Sequence, residues 1–162
     1  MPVFNTPKLR KPGFKLALIA TVLAGIVVLL GVMTRLLDAG LGCPDWPSCY
    51  GQQFLAEAME GVDQSVSVSS SALDADKASL NIVHRALAGA LAFCIVILAV
   101  MSWRQRDNEN IPFRLPTLIL FLVAWEVLFG MWTVTLKLWP QIVTVHMLAG
   151  MAMLSLLWLL TL

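Results

Sequence analysis

The chain contains two histidines, and each opens a short near-repeat: Val83-His84-Arg85-Ala86-Leu87-Ala88-Gly89 and Val145-His146-Met147-Leu148-Ala149-Gly150. Both stand near the start of a membrane-length apolar run. Neutral imidazole is a good ligand for iron, and an apolar helical bundle can enclose a porphyrin, so the pair is read as two axial ligands gripping one haem iron. The simpler alternative is that each imidazole bonds a neighbouring helix. Matched context and depth favour the metal: His84 is seven residues past Lys77 and His146 six past Pro140, each roughly 10 Å inward at the rise of an α-helix. Four residues on, on the same helix face, Ala88 and Gly150 leave room for a flat ring.

Other residues carry chemistry around this pair. Arg35, Arg85 and Lys137 fall at helix ends where charge topology does not call for cations. Arg35 and Arg85 suit haem propionates, since a guanidinium binds a carboxylate through two parallel hydrogen bonds; Lys137 reads as snorkelling to the interface. Glu126 sits mid-span, where a carboxyl is costly unless protonated or paired, and so marks either a catalytic acid or a hydrogen bond across the bundle. Cys43-Pro44-Asp45-Trp46-Pro47-Ser48-Cys49 places two thiols close together in a proline-stiffened loop on the oxidising side of the membrane, and a Cys43–Cys49 disulfide is expected. Closing so short a loop contributes on the order of 2 kcal/mol. The pair acts either as a structural staple or as a redox-active or lid-forming element. Cys94, inside a span, reads as a small packing residue.

The elements that position these groups follow from composition. With 59% hydrophobic and 13% charged residues and a mean hydropathy of +0.81, the 162-residue chain is too apolar for a water-soluble domain. Four stretches reach the length of a span: about 16–37, 80–103, 115–136 and 141–162. The fold class expected is an all-α, integral membrane four-helix bundle. The first span is too long for a signal-peptide core and no small-residue cleavage site follows it, so it stays as an anchor. Lys8, Arg10, Lys11 and Lys15 before the first span, with Arg104, Arg106 and Arg114 between the second and third, put the N-terminus in the cytoplasm and the long 38–79 loop outside. These few cations are explained by topology, which excludes a nucleic-acid role.

Residues 1–15 read as a basic cytoplasmic tail and 16–162 as the haem-binding transmembrane domain. In the outer loop, Gln52 to Met59 has the composition of a short interfacial helix, and Ser65 to Ser71 that of a flexible spacer. The last span reaches Leu162 without a polar or basic flank, which suggests a partial sequence, a naturally short four-helix form being the alternative.

Several segments resemble the haem A synthases of bacteria and mitochondria: Gly31-Val32-Met33-Thr34-Arg35 leading into Gly40-Leu41-Gly42-Cys43-Pro44-Asp45-Trp46-Pro47, then His84-Arg85, Gly130-Met131-Trp132-Thr133-Val134-Thr135 and His146. The resemblance covers nearly the whole chain and matches the N-terminal four-helix half of that family, which implies half of a larger eight-helix protein. It implies a multi-pass enzyme of the bacterial inner membrane that oxidises a methyl group of haem O to a formyl group, giving haem A for cytochrome oxidase. It further implies His84 and His146 as axial ligands of the substrate haem, Cys43 and Cys49 as the outer disulfide, and Arg35 and Arg85 near the propionates. A haem b cofactor belongs to the other half, supplied by the missing C-terminal half or by a homodimer. A haem O-producing farnesyltransferase and cytochrome oxidase assembly factors are the implied partners, beside membrane lipid. One departure bears on catalysis: three residues before the first histidine the family commonly carries a glutamate, and here stands Asn81. Where the family usually has glutamine in the third helix, this chain has Glu126, so Asn81 marks the position of the acid and Glu126 its candidate replacement, although Glu126 lies well inward of it.

Two rival functions account for parts of the pattern. A quinone-linked thiol oxidase needs a second thiol pair, which solitary Cys94 does not supply, and leaves both histidines unexplained. A non-catalytic b-type haem-binding subunit or haem carrier accounts for the histidines and for Asn81.

Overall fold

The computed structural model describes residues 13–41, 68–106 and 113–162, with side chains of the second helix described from residue 77 onward. Among the described residues there are four helices and no strands: α1 (Phe14–Leu36), α2 (Val68–Arg104), α3 (Arg114–Thr135) and α4 (Pro140–Thr161). Each is long and apolar enough to cross a membrane.

Local sequence sets where the helices begin and end. Gly13, at φ 92°, turns the chain into α1, a left-handed conformation glycine adopts without steric cost. Pro140 opens α4 in the first helical turn, where its missing N–H costs nothing. The C-termini of α1 and α3 are built alike. Ala39 N–H donates to Thr34 O and Leu138 N–H to Thr133 O, both at 2.8 Å, while Asp38 and Lys137 N–H groups reach back to Arg35 O and Val134 O. Both ends are Schellman motifs, with a left-handed residue satisfying otherwise orphaned carbonyls. Asp38 and Lys137, both at φ 50°, hold that position in place of glycine.

The helices form a ring in which α1 packs on α2 and α4, and α3 packs on α2 and α4, so that α1 faces α3 and α2 faces α4 across the centre. Neighbours run antiparallel. Leu98 and Met101 of α2 lie beside Gly13 at the start of α1, and Trp103 Nε1 donates to Thr117 Oγ1 at 2.7 Å, tying the end of α2 to the start of α3. Ala17, Ala20 and Ala24 form a stripe of small buried residues on α1, against a core that includes Leu91, Ile95, Ile119 and Leu157. Such a stripe lets helix backbones approach closely, the main source of helix association where lipid leaves little hydrophobic drive.

The outside is as apolar as the inside. Leu29, Phe93, Phe121 and Leu148 are 64%, 67%, 65% and 62% exposed, an arrangement suited to lipid as solvent. Hydroxyls within the spans bond one turn back, as Thr21 does to Ala17 O and Ser155 to Met151 O, so none faces hydrocarbon unsatisfied.

The span boundaries read from sequence hold to within two residues for α1, α3 and α4. The second does not. α2 begins at Val68, about three turns before the apolar window opens, so the end of the stretch read as flexible spacer, Val68 to Ser71, is helical. Ala72, Leu73, Ala75, Lys77 and Ala78 are strong helix formers, and Ala78 is buried; polarity hid a continuous helix. Cys43, Cys49, Trp46 and the Gln52 to Met59 segment lie outside the described residues.

Candidate functional site

A cleft of about 370 Å³ opens at the centre of the ring, towards the end that carries the two tight turns, with walls from all four helices. It is largely apolar, with a few polar side chains, the usual composition of a ligand pocket.

His84 and His146 enter this cleft from α2 and α4, the two helices that face each other. Each imidazole rests on a glycine of a flanking helix. A Cβ at Gly31 of α1 would stand 3.2 Å from Cε1 of His84, and a Cβ at Gly130 of α3 would stand 3.7 Å from Cε1 and 3.8 Å from Nε2 of His146. Behind each glycine a threonine bonds back to it: Thr34 Oγ1 to Gly31 O and Thr133 Oγ1 to Gly130 O, both at 2.7 Å. Gly-x-x-Thr, Schellman turn and histidine thus recur in the same order in α1–α2 and α3–α4, so the bundle is two copies of one helical hairpin arranged around the cleft.

In both rings Nδ1 is the enclosed nitrogen and lacks a hydrogen bond of acceptable geometry. The copies differ behind Nδ1. Glu126 Oε2 lies 2.9 Å from His146 Nδ1, at bonding distance but off the line of a hydrogen bond; among the described residues no carboxyl is paired with His84. Glu126 is only 9% exposed, and its Oε1 has no partner among the described residues. Gly150, one turn past His146, makes room for this carboxyl: a Cβ there would lie 3.6 Å from Glu126 Oε2. Ala88 lines the cleft at the matching place on α2.

Asn81 is buried and fastened. Its Nδ2 donates to Ala39 O at 3.0 Å and to Gly40 O at 3.4 Å, closing the turn that leaves α1. Three residues before His146 the corresponding position is Val143, which has no such bond to offer. The second turn instead lays Leu138 over Gly40, where a Cβ would come within 2.8 Å of Leu138 Cδ2. Arg35 and Arg85 both border the cleft at the turn end; Arg85 is half-buried, whereas Arg35 and Lys137 are exposed. Cys94 is a free thiol packed against the core.

Sequence reasoning brought out the histidines, the arginines and Glu126, and the cleft gathers all of them. It did not bring out the supporting glycines and threonines, whose signal was the Gly-x-x-Thr present in both hairpins, nor the contact between Glu126 and His146.

The cytochrome oxidase assembly protein family, COX15-CtaA, has a sequence profile that matches residues 14–162, which takes in every described helix. The chain belongs to this family. It is 38% identical over 136 residues to a haem A synthase of Shewanella oneidensis, an alignment covering 83% of this chain and 40% of that protein. Over 119 residues it is 29% identical to a protohaem IX farnesyltransferase of Halobacterium salinarum, covering 72% of the chain and 22% of that enzyme. The chain thus spans well under half the length of the curated relatives it matches. No solved structure matches it.

Proposed function

We propose that this family member holds a haem between His84 and His146, with haem O as substrate, and oxidises a ring methyl group to a formyl group to give haem A for cytochrome oxidase. The observation that carries the haem reading is the pair of glycine-backed imidazoles that line one cleft from opposite helices. Among the described residues no group of three or more His, Cys, Asp and Glu side chains could hold a bare metal ion. Two imidazoles suffice only for a metal whose remaining positions its own macrocycle fills, and the apolar walls suit a porphyrin. The identity to a haem A synthase supports the reaction. Turning the methyl into the formyl takes up one oxygen atom from water and releases four electrons and four protons.

The chain's own residues supply position and charge. His84 and His146 would hold the haem iron between α2 and α4. Arg35 and Arg85 take the propionates at the mouth of the cleft. Glu126, the carboxyl beside the site, is the acid nearest the reacting ring, and Asn81 occupies the place of the family glutamate as an amide. In this orientation the turn end faces outward and the N-terminus lies on the cytoplasmic side of a bacterial inner membrane, with Cys43 and Cys49 proposed as a disulfide pair of the outer loop. A second four-helix unit, from a homodimer or a C-terminal half, supplies the haem b site. The likeness to a protohaem IX farnesyltransferase supports a place in haem metabolism, and the enzyme that makes haem O is the partner proposed.

One observation favours a second reading, a b-type haem-binding subunit or haem carrier: Asn81 is committed to the Ala39 and Gly40 carbonyls, and no acid stands three residues before His84. Extraction and identification of the bound haem separates the two. The purified chain, given haem O in membranes with an electron acceptor, is expected to yield haem A; exclusive, unaltered haem b would establish the carrier.

A further inference from the structure

The two imidazoles share their glycine support and differ in what stands behind Nδ1. His146 has Glu126 Oε2 at 2.9 Å. His84 has the main chain of α1 near Val27 and Gly31. A carboxyl beside Nδ1 is the partner that a metal-bound histidine uses to hold its ring: once aligned it accepts the Nδ1 proton, leaves the Nε2 lone pair for the metal and makes the imidazole a stronger donor. Glu126 is itself held. It is buried on α3, and the carboxyl lies in the space that Gly150 leaves on α4. An acid at this depth is costly without such a purpose.

We infer that Glu126 is the positioning residue of His146, and that it makes the two axial ligands unequal: His146 the firm one, His84 the exchangeable one. The inference rests on the haem reading above. It assigns Glu126 a role exerted through the imidazole. A site that must accept haem O and release its product needs one ligand that lets go while the other retains the ring, and among the described residues the α4 side is the one braced by a carboxyl.

The test uses the full chain loaded with haem, in the wild type and in Glu126→Gln, Glu126→Leu and Glu126→Asp. Haem affinity, the electron paramagnetic resonance signature of the ferric form and the midpoint potential are measured. Glu126→Leu removes the carboxyl and leaves Nδ1 of His146 without its acceptor; Glu126→Gln keeps the shape and carries the same readouts wherever Glu126→Leu does not fold. Glu126→Leu is expected to weaken haem binding about 10- to 100-fold and to raise the midpoint potential, by about 59 mV for each tenfold loss of preference for ferric over ferrous haem. Glu126→Gln, nearly isosteric, should raise the potential with the thermal stability unchanged, and Glu126→Asp should restore part of the wild-type signature. His84→Ala should still retain haem with a vacant face that takes up added imidazole, whereas His146→Ala should lose haem. Unchanged potential and resonance signature in Glu126→Leu at equal occupancy, or haem loss in His84→Ala greater than in His146→Ala, would overturn the assignment while the haem reading stands. A wild-type chain that binds no haem would overturn both.

Discussion

A methyl group added at Gly31 would meet Cε1 of His84 at 3.2 Å, closer than the equivalent contact of Gly130 with His146 at 3.7 Å. The two hairpins therefore tolerate the same substitution unequally. Gly31→Ala must push the imidazole by a few tenths of an ångström or separate α1 from α2, and overpacking of this kind costs about 1–3 kcal/mol. Gly130→Ala adds an ordinary van der Waals contact. Haem affinity measured by titration should fall about tenfold or more in Gly31→Ala and stay within about threefold of wild type in Gly130→Ala, taking about 1.4 kcal/mol per tenfold; equal effects would show that His84 is not seated on Gly31.

Asn81 holds the turn after α1 with two hydrogen bonds to carbonyls. Asn81→Ala leaves those buried acceptors without a donor and should cost about 1–3 kcal/mol, read as a lower midpoint in thermal unfolding in detergent. Asn81→Glu restores the family acid but brings no donor when ionised, so it should lose stability similarly. Haem A formation is the companion measurement: Glu126→Gln should reduce it, and unchanged activity in that variant would remove Glu126 from the reaction.

Lys137 sits at φ 50° in the Schellman turn that ends α3, and Leu138 follows at φ 61°. A left-handed residue with a side chain costs roughly 1–2 kcal/mol, which glycine avoids. Lys137→Gly should therefore raise stability by about 1 kcal/mol without altering the haem spectrum. Asp38→Gly should gain less, because aspartate tolerates this conformation better than lysine does.

Much of the architecture is written in simple periodicities. Apolar length marked α1, α3 and α4, and counting residues from Lys77 and Pro140 put His84 and His146 level, as they are in one cleft. The cost of a mid-span carboxyl signalled that Glu126 needed a partner. Which partner it has, His146, depends on the rotation of α3 against α4 and cannot be read along either helix. Asn81 was judged by the acid it replaces, whereas its position is decided by the Ala39 and Gly40 carbonyls, some 40 residues away in sequence. α2 escaped the hydropathy window because its first turns are polar, although alanine, leucine and lysine favour the helix there. The twin Gly-x-x-Thr was visible all along, but its meaning lies in the imidazole each glycine supports.

The central claim, that His84 and His146 hold one haem between them, is tested most directly by the optical spectrum of the purified, reduced chain and of its His84→Ala and His146→Ala variants. The wild type should show the sharp bands of six-coordinate, low-spin haem, and each single replacement should abolish them. Low-spin bands that persist after either replacement would contradict it.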